Sequence, residues 1–258
     1  MKMFATERRN EILKILQEKQ RLTVKDLSSK IGVSEATLRT DLNKMEMEGL
    51  LTRTHGGAIL NDYIDYETSF SAREKKNKSE KIKIAEKAFT FVEEKQCILL
   101  DASSTALEFA RFLKDQQVRL TVVTSGLQTA LELKDNFNIT VILIGGVVTT
   151  GSSSVEGTLG LSILNNVNID IMFTSANGFV VETGLTDFNL YEVELKKEMV
   201  KKANNVIALI DKSKIGTSSS ALFAYTEEID TIITDQPIGN DINRKLSELS
   251  IRVIDASS

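Results

Sequence analysis

RLTVKDLSSKIGVSEATLRTDLNKMEMEGLLTRTHGGA, residues 21–58, contains two short helical patterns separated by a glycine. Thr23 precedes the first pattern and is a good N-cap, because its hydroxyl can accept a hydrogen bond from a free N–H of the first helical turn. Gly32 follows that pattern, at the point where a left-handed C-cap conformation favours glycine. Ser34 can cap a second helix that runs to Gly49. This order of helix, glycine-centred turn and capped helix predicts a helix-turn-helix.

The residues after the second helix predict a β-hairpin, or wing. Residues 50–53 form one expected strand, residues 55–57 a tight turn and residues 58–60 the returning strand. A Gly-Gly turn between short strands suits a hairpin. An amphipathic helix over residues 6–19 is expected to pack under the pair. Residues 1–60 are therefore predicted to form a winged helix-turn-helix domain.

One face of the second helix carries polar and basic side chains that suit the major groove of DNA, whereas Ala36 is expected on its apolar face. Arg53 in the wing is the stronger candidate for a phosphate contact. His55 could donate to a phosphate or merely cap the turn. Arg8 and Arg9 of the first helix are expected to be available to solvent or phosphate. The candidate DNA-binding residues are Ser34, Glu35, Thr37, Arg39, Thr40, Lys44, Arg53, His55 and Gly56.

The charge distribution agrees with a first domain that faces phosphates. Residues 1–60 hold 11 Lys and Arg against 8 Asp and Glu, a net charge of +3, whereas the remaining residues hold 21 against 28, a net charge of −7. A chain of 258 residues suits two domains. The sequence has no apolar run long enough for a membrane span and no visible secretory signal, so we expect no membrane partner and a cytoplasmic protein. The single Cys97 lies in an apolar run and is expected to be buried and inert.

From residue 97 onward, short apolar runs alternate with helical segments, which predicts an α/β domain with a parallel sheet covered on both faces. We expect a linker and the start of a connecting helix at residues 61–78, with Ile82 in the apolar stripe of that helix. The α/β domain is expected at residues 79–258. The expected strands are residues 97–100, 120–123, 139–144, 169–173, 206–210, 231–233 and 253–254. The expected helices are residues 105–114, 126–134, 155–165 and 189–203.

Small and hydroxylated residues follow five of these strands. The carboxyl ends of parallel strands meet at one edge of a sheet, where open α/β folds bind ligands. Helix N–H groups after Asp101 would meet an anion there. Any one of these residues could instead only cap a helix or end a strand, but together the five strand ends favour a pocket for a phosphate and several hydroxyls. The candidate ligand-binding residues are Asp101, Ser103, Ser104, Thr105, Thr124, Ser125, Gly145, Gly146, Ser175 and Lys214.

The segments GVSEATLRTDL (residues 32–42) and EGLLTRTHGGA (residues 48–58) together resemble the deoxyribonucleoside-repressor (DeoR) family of bacterial transcription regulators. Later segments are similar to the signatures of that family's C-terminal sensor domain. These are Asp101 with Ser104-Thr105, residues 121–124, Gly145-Gly146, residues 184–186 and Asp211 with Ser213-Lys214. Arg73 and Lys81 also match positions where the family often has Arg and Lys.

The resemblance implies a C-terminal fold similar to ribose-5-phosphate isomerase, double-stranded operator DNA as a partner and a phosphorylated sugar as effector. This chain departs from the family pattern at three positions. Thr40 follows Arg39 where the family usually has a second Arg, Ser103 replaces a common Gly, and Ser125 replaces a common Asn.

Two functions follow from these patterns. The leading one is a transcriptional regulator, a repressor of a carbohydrate catabolic operon, that acts as a homo-oligomer (dimer or tetramer) because helix-turn-helix operators are usually paired half-sites. The alternative is a sugar-phosphate isomerase or deaminase that carries a DNA-binding head, for which a positioned base is needed. The candidates for that base are Asp101, Asp187, Glu192 and Glu194. No carboxylate pair with acid/base spacing stands out, so we expect no catalytic residue. One Cys and one His at unrelated places give no zinc-type cluster, and residues 145–147 lack the spacing of a dinucleotide fingerprint, so we expect no metal and no cofactor.

Overall fold

The computed structural model describes residues 5–19, 21–47, 50–54, 56–59, 70–149 and 152–257. The chain divides into two compact units, Met1–Arg73 and Glu74–Ser258. The predicted linker at residues 61–66 lies outside the described residues. Within the described ranges, no helix is both long and apolar enough to cross a membrane.

The described residues of the first unit include a helix-turn-helix with a wing, as predicted. The helices are α1 (Ala5–Lys19), α2 (Val24–Ile31) and α3 (Glu35–Met47), and the strands are β1 (Arg21–Thr23), β2 (Thr52–Thr54) and β3 (Gly57–Ile59). The strands form an antiparallel sheet in the order β1-β3-β2. The core between the helices consists of fully buried side chains, among them Ile12, Leu16, Leu27, Leu38, Leu42 and Met45.

Local capping explains where the helices of the first unit begin and end. Thr23 Oγ1 accepts a hydrogen bond from Asp26 N at 3.1 Å, and Asp26 Oδ2 accepts one from Thr23 N at 3.4 Å. Gly32 ends α2 with a φ of +75°, and Ser34 Oγ accepts from Thr37 N at 3.2 Å at the start of α3. Such side-chain caps typically contribute about 1 kcal/mol each to helix stability. All three predicted capping residues are confirmed.

Gly57 allows the wing to pair closely with β1. A Cβ atom at this position would lie 2.0 Å from the carbonyl oxygen of Leu22, which is far inside van der Waals contact. Any larger residue would therefore push β3 away from β1.

The second unit is built on a parallel sheet of seven strands. They are β4 (Cys97–Leu100), β5 (Leu120–Thr124), β6 (Ile139–Leu143), β7 (Ile171–Thr174), β10 (Val206–Leu209), β12 (Thr231–Thr234) and β13 (Arg252–Asp255), in the spatial order β13-β12-β10-β7-β4-β5-β6. The helices are α4 (Phe70–Lys75), which contains the boundary between the units, α5 (Lys78–Phe89), α6 (Ser104–Lys114), α7 (Leu127–Leu133), α8 (Leu190–Lys202) and α9 (Asn240–Glu248). The predicted parallel α/β fold is confirmed.

A small antiparallel sheet accompanies the parallel one and was not predicted. It consists of β8 (Gly178–Val180), β9 (Gly184–Asp187) and β11 (Ala221–Ala224), in the order β11-β9-β8. β8 and β9 each begin with a glycine and β9 ends in Thr186-Asp187, so neither shows the continuous apolar run from which the parallel strands were predicted.

The helix predicted at residues 155–165 is wrong, because only Leu161–Asn165 is helical and that turn is a 3₁₀-helix. Long-range backbone bonds hold the first two residues of the segment, and residues 157–160 form bends and turns. Val155 N donates to Ser125 O at 2.8 Å, and Val147 and Glu156 exchange two backbone bonds at 2.8 and 3.0 Å. Gly157 then turns the chain with a φ of +79°. An apolar pattern in the sequence does not reveal such pairings.

Three smaller expectations about burial also need correction. Ala36 is exposed rather than part of the apolar face of α3. Ile82 is 40% exposed and lies outside the buried stripe of α5, which contains Ile84, Ala85 and Ala88 as expected. Cys97 is free and only partly buried, and both burial and the nearby Asp170 carboxylate raise the pKa of its thiol.

Candidate functional site

The outward face of α3 carries the side chains that the sequence assigned to DNA contact. Glu35, Arg39, Thr40 and Lys44 are exposed, whereas Thr37 is half-buried. Arg39 Nη2 lies 3.2 Å from Glu35 Oε2, one helical turn away. Exposed pairs of this kind are weak, so the guanidinium can exchange its partner for a base or a phosphate at little cost. The DNA contacts themselves stay predictions.

The wing is joined to α3 by side-chain bonds. The backbone N–H of Arg53 donates to Glu46 Oε1 at 2.8 Å, and the Arg53 guanidinium donates to Asn43 Oδ1. Gly56 is exposed in the turn, and His55 lies outside the described residues. Arg53 therefore lies next to the exposed face of α3, where a phosphate contact from the wing is sterically reasonable.

Arg8 and Arg9 are not available in the way that the sequence suggested. Arg8 Nε lies 2.5 Å from Asp41 Oδ2, and Arg9 Nε lies 3.4 Å from Asp41 Oδ1. Asp41 is itself buried within α3. These ion pairs fix α1 against α3, so the two arginines have a structural role that side-chain type alone did not indicate.

The carboxyl end of β4 is organised around the buried carboxylate of Asp101. Its Oδ1 accepts from the backbone N–H of Ser103 at 2.9 Å. Its Oδ2 accepts from Thr174 Oγ1 at 2.6 Å and from Ser175 N at 3.0 Å. Asp101 therefore ties the loop after β4 to the loop after β7.

Lys196 of α8 is buried beside this carboxylate and was not selected from the sequence. Its Nζ lies 3.1 Å from Asp101 Oδ2 and 2.8 Å from Asp187 Oδ2, and donates to Ser175 O at 2.9 Å. Burial lowers the pKa of the Lys196 ammonium, but the carboxylates of Asp101 and Asp187 outweigh burial and raise it above its ordinary value. One sequence signal was available, because Lys196 lies three residues after buried Val193 and four before buried Val200.

The Lys196 ammonium in turn lowers the pKa of Asp101. Burial raises the pKa of Asp101, whereas the Lys196 ammonium and the hydrogen bonds from Ser103 and Thr174 lower it, and the result is a pKa below the ordinary value. Asp101 is thus an ionised carboxylate that is fully engaged by protein groups.

The N-terminus of α6 offers hydrogen-bond donors next to Asp101. Ser103 caps the helix by accepting from Ala106 N at 3.1 Å. Ser104 Oγ lies 3.1 Å from Lys81 Nζ of α5. Thr105 Oγ1 is completely buried and has no hydrogen-bond partner among the described residues. A buried hydroxyl without a partner is unusual in a folded protein.

A second lysine approaches the loop after β7 from the loop after β10. Lys214 Nζ lies 3.2 Å from Ser175 Oγ and 3.6 Å from Asp211 Oδ2. Burial raises the pKa of Asp211, but the Lys214 ammonium and hydrogen bonds from Ser213 and Asn77 lower it below its ordinary value. The ends of β4, β7 and β10 are therefore linked by direct contacts.

The residues after β5 and β6 make contacts of a different kind. Thr124 Oγ1 accepts from Gly126 N at 3.0 Å, and Ser125 O accepts from Val155 N at 2.8 Å. Gly145 and Gly146 are exposed directly after β6. These two bonds shape the loop after β5 rather than joining it to the Asp101 network.

Three of the carboxylates considered for enzyme chemistry have ion-pair partners. Asp101 and Asp187 share Lys196, and Glu194 is exposed and paired with Lys197 at 2.9 Å. Glu192 accepts from Ser154 Oγ at 2.9 Å. Among the described residues, no group of three or more His, Cys, Asp or Glu side chains could hold a metal ion.

Comparison with protein families identifies both units. Residues 8–63 match the DeoR-like helix-turn-helix domain, and residues 76–236 match the DeoR C-terminal sensor domain. The chain therefore belongs to the DeoR family of transcriptional regulators, as the sequence resemblance predicted.

Curated relatives align with almost the whole chain. The HTH-type transcriptional regulator GolR of Listeria innocua is 45% identical over 97% of this chain and 98% of its own length. An L-fucose operon activator of Haemophilus influenzae is 30% identical over 94% of this chain and 97% of its own length. A putative aga operon transcriptional repressor of Escherichia coli O157:H7 is 29% identical over 96% of this chain and 93% of its own length.

These relatives are named as regulators of transcription, and the chain is accordingly a regulator rather than an enzyme. Among solved structures, ribose-5-phosphate isomerase A of Methanocaldococcus jannaschii is 20% identical, with a TM-score of 0.42 over 54% of this chain and 55% of that one. Similarity at this level supports no argument about activity.

Proposed function

We propose that the chain is a repressor of a carbohydrate operon that binds double-stranded operator DNA through its winged helix-turn-helix and is controlled by a phosphorylated sugar bound to its second unit. It acts in the cytoplasm as a homo-oligomer, a dimer or a tetramer. The proposed domains are residues 1–60 for DNA binding, 61–78 for the connection and 79–258 for sensing. The name of one relative, an L-fucose operon activator, supports a carbohydrate operon as the target, and the name of another, a putative aga operon transcriptional repressor, supports repression.

The observation that carries the effector site is the buried, unpartnered hydroxyl of Thr105 at the N-terminus of α6. A helix N-terminus attracts anions because its first N–H groups are free and its dipole is positive there. Lys81 beside Ser104 and Lys214 beside Ser175 add positive charge on two sides. We infer that a phosphate group is bound between these lysines.

The candidate residues after β5 and β6 would then bind the hydroxyl groups of the sugar. Thr124, Ser125, Gly145 and Gly146 end the neighbouring strands β5 and β6, where hydroxyl and backbone groups suit a polyhydroxylated chain. Asp101 keeps its bonds to Ser103, Thr174 and Ser175 and holds the loops in place, so its part in the site is to position them.

The test is thermal unfolding of the full chain with a panel of sugar phosphates and the corresponding unphosphorylated sugars. A ligand that binds only the native state raises the unfolding midpoint in proportion to occupancy. We expect one phosphate to raise the midpoint and its parent sugar to leave it unchanged. No shift across a broad panel would refute a sugar-phosphate effector.

A pair of matched variants shows whether the shift arises at α6. Thr105→Val and Thr234→Val each replace a buried hydroxyl that lacks a partner among the described residues, Thr105 in the first turn of α6 and Thr234 at the end of strand β12. Neither should lower stability, because neither breaks a hydrogen bond. We expect only Thr105→Val to weaken binding of the sugar phosphate, by about tenfold, because it loses one charge-assisted hydrogen bond. Equal effects of both variants would contradict this site.

A further inference from the structure

We propose that residues 74–81, which we call the tether segment, transmit effector binding at the strand ends to the DNA-binding unit through Asn77 and Lys81. The inference rests on the proposed function and names how that site controls DNA binding. The tether segment consists of the end of α4, the turn at Lys76 and Asn77, and the start of α5. Since α4 contains the boundary between the two units, any change in the tether segment acts on the chain that leads to the first unit.

Asn77 attaches the turn to the loop after β10. Its Nδ2 donates to Asp211 Oδ1 and to Ser213 Oγ, both at 3.1 Å. Asn77 has a left-handed backbone with a φ of +52° and makes no side-chain cap to α5. The side chain is thus used for contact with a distant loop instead of the local cap that asparagine usually makes at this position.

Lys81 attaches the same turn to the N-terminus of α6. Its buried Nζ donates to Lys76 O at 2.7 Å and to Ser104 Oγ at 3.1 Å. One ammonium group therefore contacts both the carbonyl of the turn and the hydroxyl next to the proposed phosphate position.

The end of α4 is also held by α6. Arg111 Nη2 lies 2.6 Å from Glu74 Oε1, and its Nη1 lies 2.6 Å from Glu108 Oε1. Burial lowers the pKa of the Arg111 guanidinium, but bonds to Glu74, Glu132 and Glu108 outweigh it and raise the pKa, so this cation stays charged. The tether segment is therefore fastened at Glu74, Asn77 and Lys81 to loops and helices of the sensor site.

These contacts give the effector a physical route to the turn. A phosphate at the N-terminus of α6 would compete with Lys76 O for the hydrogen bonds of the Lys81 ammonium, because an anion is the stronger acceptor. A phosphate beside Lys214 would draw that ammonium away from Asp211, the acceptor of Asn77. Both changes loosen or reposition the turn, and a ligand that favours one position of the turn shifts the population toward it.

The experiment releases the turn without replacing a residue that is proposed to contact the effector. Asn77→Gly removes both side-chain bonds while keeping a residue that accepts positive φ. Asn77→Asp also tolerates this backbone but places a carboxylate opposite Asp211. Lys76→Gly is the control, because it adds the same backbone freedom at the preceding residue and keeps the side-chain hydrogen bonds of Asn77. The full-length variants are titrated, without added ligand, on a DNA duplex selected from a random library by the wild-type protein.

We expect both Asn77 variants to change DNA affinity by about fivefold or more, the lower range of allosteric coupling, and Lys76→Gly to stay within about twofold. Where a sugar phosphate binds the wild type, Asn77→Gly should change DNA affinity in the same direction as that ligand does. Folded Asn77 variants with wild-type DNA affinity would overturn the proposal.

The outcome separates this inference from the proposed function. Sugar phosphates could raise the unfolding midpoint of wild type and Asn77→Gly alike while Asn77→Gly binds DNA as wild type does. This result would support the proposed effector site and contradict transmission through the tether segment. If no sugar phosphate raises the midpoint, but Asn77→Gly changes DNA affinity, the tether stands and the effector class fails.

Discussion

Lys196 Nζ lies 3.1 Å from Asp101 Oδ2, and both side chains are buried. This pair connects α8 to the carboxyl end of β4, and the contact of Lys196 with Asp187 brings in β9 of the small antiparallel sheet. A buried ion pair gives little net stability compared with an apolar packing of equal volume, but losing one member leaves an uncompensated charge. Lys196 therefore determines whether the loops of the proposed sensor site are properly formed.

Replacing Lys196 is expected to destabilise the second unit strongly. Lys196→Met keeps the apolar stem and removes the ammonium, which leaves Asp101 and Asp187 buried without their cation. Removal of one partner from a buried pair costs about 3–5 kcal/mol. The measurement is the free energy of unfolding from the urea transition of the second unit, followed in the full chain by circular dichroism.

The neighbouring Lys197 provides the control for that experiment. Its side chain is 41% exposed, and its ammonium pairs with the exposed carboxylate of Glu194 at 2.9 Å. Lys197→Met should change the free energy of unfolding by less than about 1 kcal/mol, the usual range of exposed pairs. Similar losses for the two variants would show that Lys196 acts through helix stability instead of through Asp101.

Acidification should weaken the second unit of the wild type. The pKa values of Asp101 and Asp211 lie below their ordinary values in the folded state, so their contribution to stability is present above the unfolded pKa of about 3.9. It is lost as pH falls through the folded pKa values. Urea transitions measured from pH 7 to 3 should shift to lower urea below about pH 4.

In the same titration, the difference in the free energy of unfolding between Lys196→Met and wild type should become smaller as the pH falls. Once the cation is gone, protonation of Asp101 relieves an unpaired buried charge, so the variant loses less stability on acidification than wild type does. A difference in the free energy of unfolding that stays constant from pH 7 to 3 would mean that the Asp101 carboxylate does not carry the penalty.

Arg39 and Arg53 should affect DNA binding in different ways. Arg39 is exposed on α3, the helix expected in the major groove, and Arg53 belongs to the wing. Arg39→Ala should cost about 1–3 kcal/mol on the selected duplex and relax sequence preference, whereas Arg53→Ala should weaken selected and random DNA alike. Binding titrations on both duplexes at two salt concentrations test this. A uniform loss for Arg39→Ala would mean that it contacts phosphate instead of a base.

Asp41 should matter for the stability of the DNA-binding unit without touching DNA. Asp41→Ala removes the shared partner of Arg8 and Arg9 and leaves two partly buried guanidinium groups without it. We expect a loss of about 1–3 kcal/mol, seen as faster amide hydrogen exchange in α1 and α3. Glu35→Ala, which removes only an exposed partner, should leave exchange in α1 unchanged. Unchanged protection in Asp41→Ala would show that packing of the apolar core alone holds α1 on α3.

The sequence predicted the elements whose formation depends on neighbouring residues. The caps at Thr23, Gly32 and Ser34 act within one helical turn, and their chemistry is visible in the residue types. The parallel strands were predicted because burial on both faces demands continuous apolar runs. Exact strand ends differ by one or two residues, as at β7, since the last hydrogen bonds depend on the adjacent strand.

Residues that act through distant partners could not be predicted in this way. Asn77 and Asp211 are separated by 134 positions, and nothing near Asn77 indicates that its amide will reach that carboxylate. The segment at residues 155–165 has an apolar pattern that would suit a helix, yet Val155 and Glu156 pair with Ser125 and Val147, and only the last five residues form a 3₁₀-helix.

The amino-acid sequence by itself determined the family, the two kinds of fold and the edge of the sheet where polar residues gather, because these follow from local patterns and chain order. Only the tertiary structure decided which polar side chains face one another. Burial of Lys196 beside Asp101, and of Lys81 beside Ser104, depends on how α8 and α5 pack on the sheet. A buried charge is costly unless a partner offsets it, and the carboxylates that offset Lys196 come from other elements, so this arrangement exists only in the folded chain.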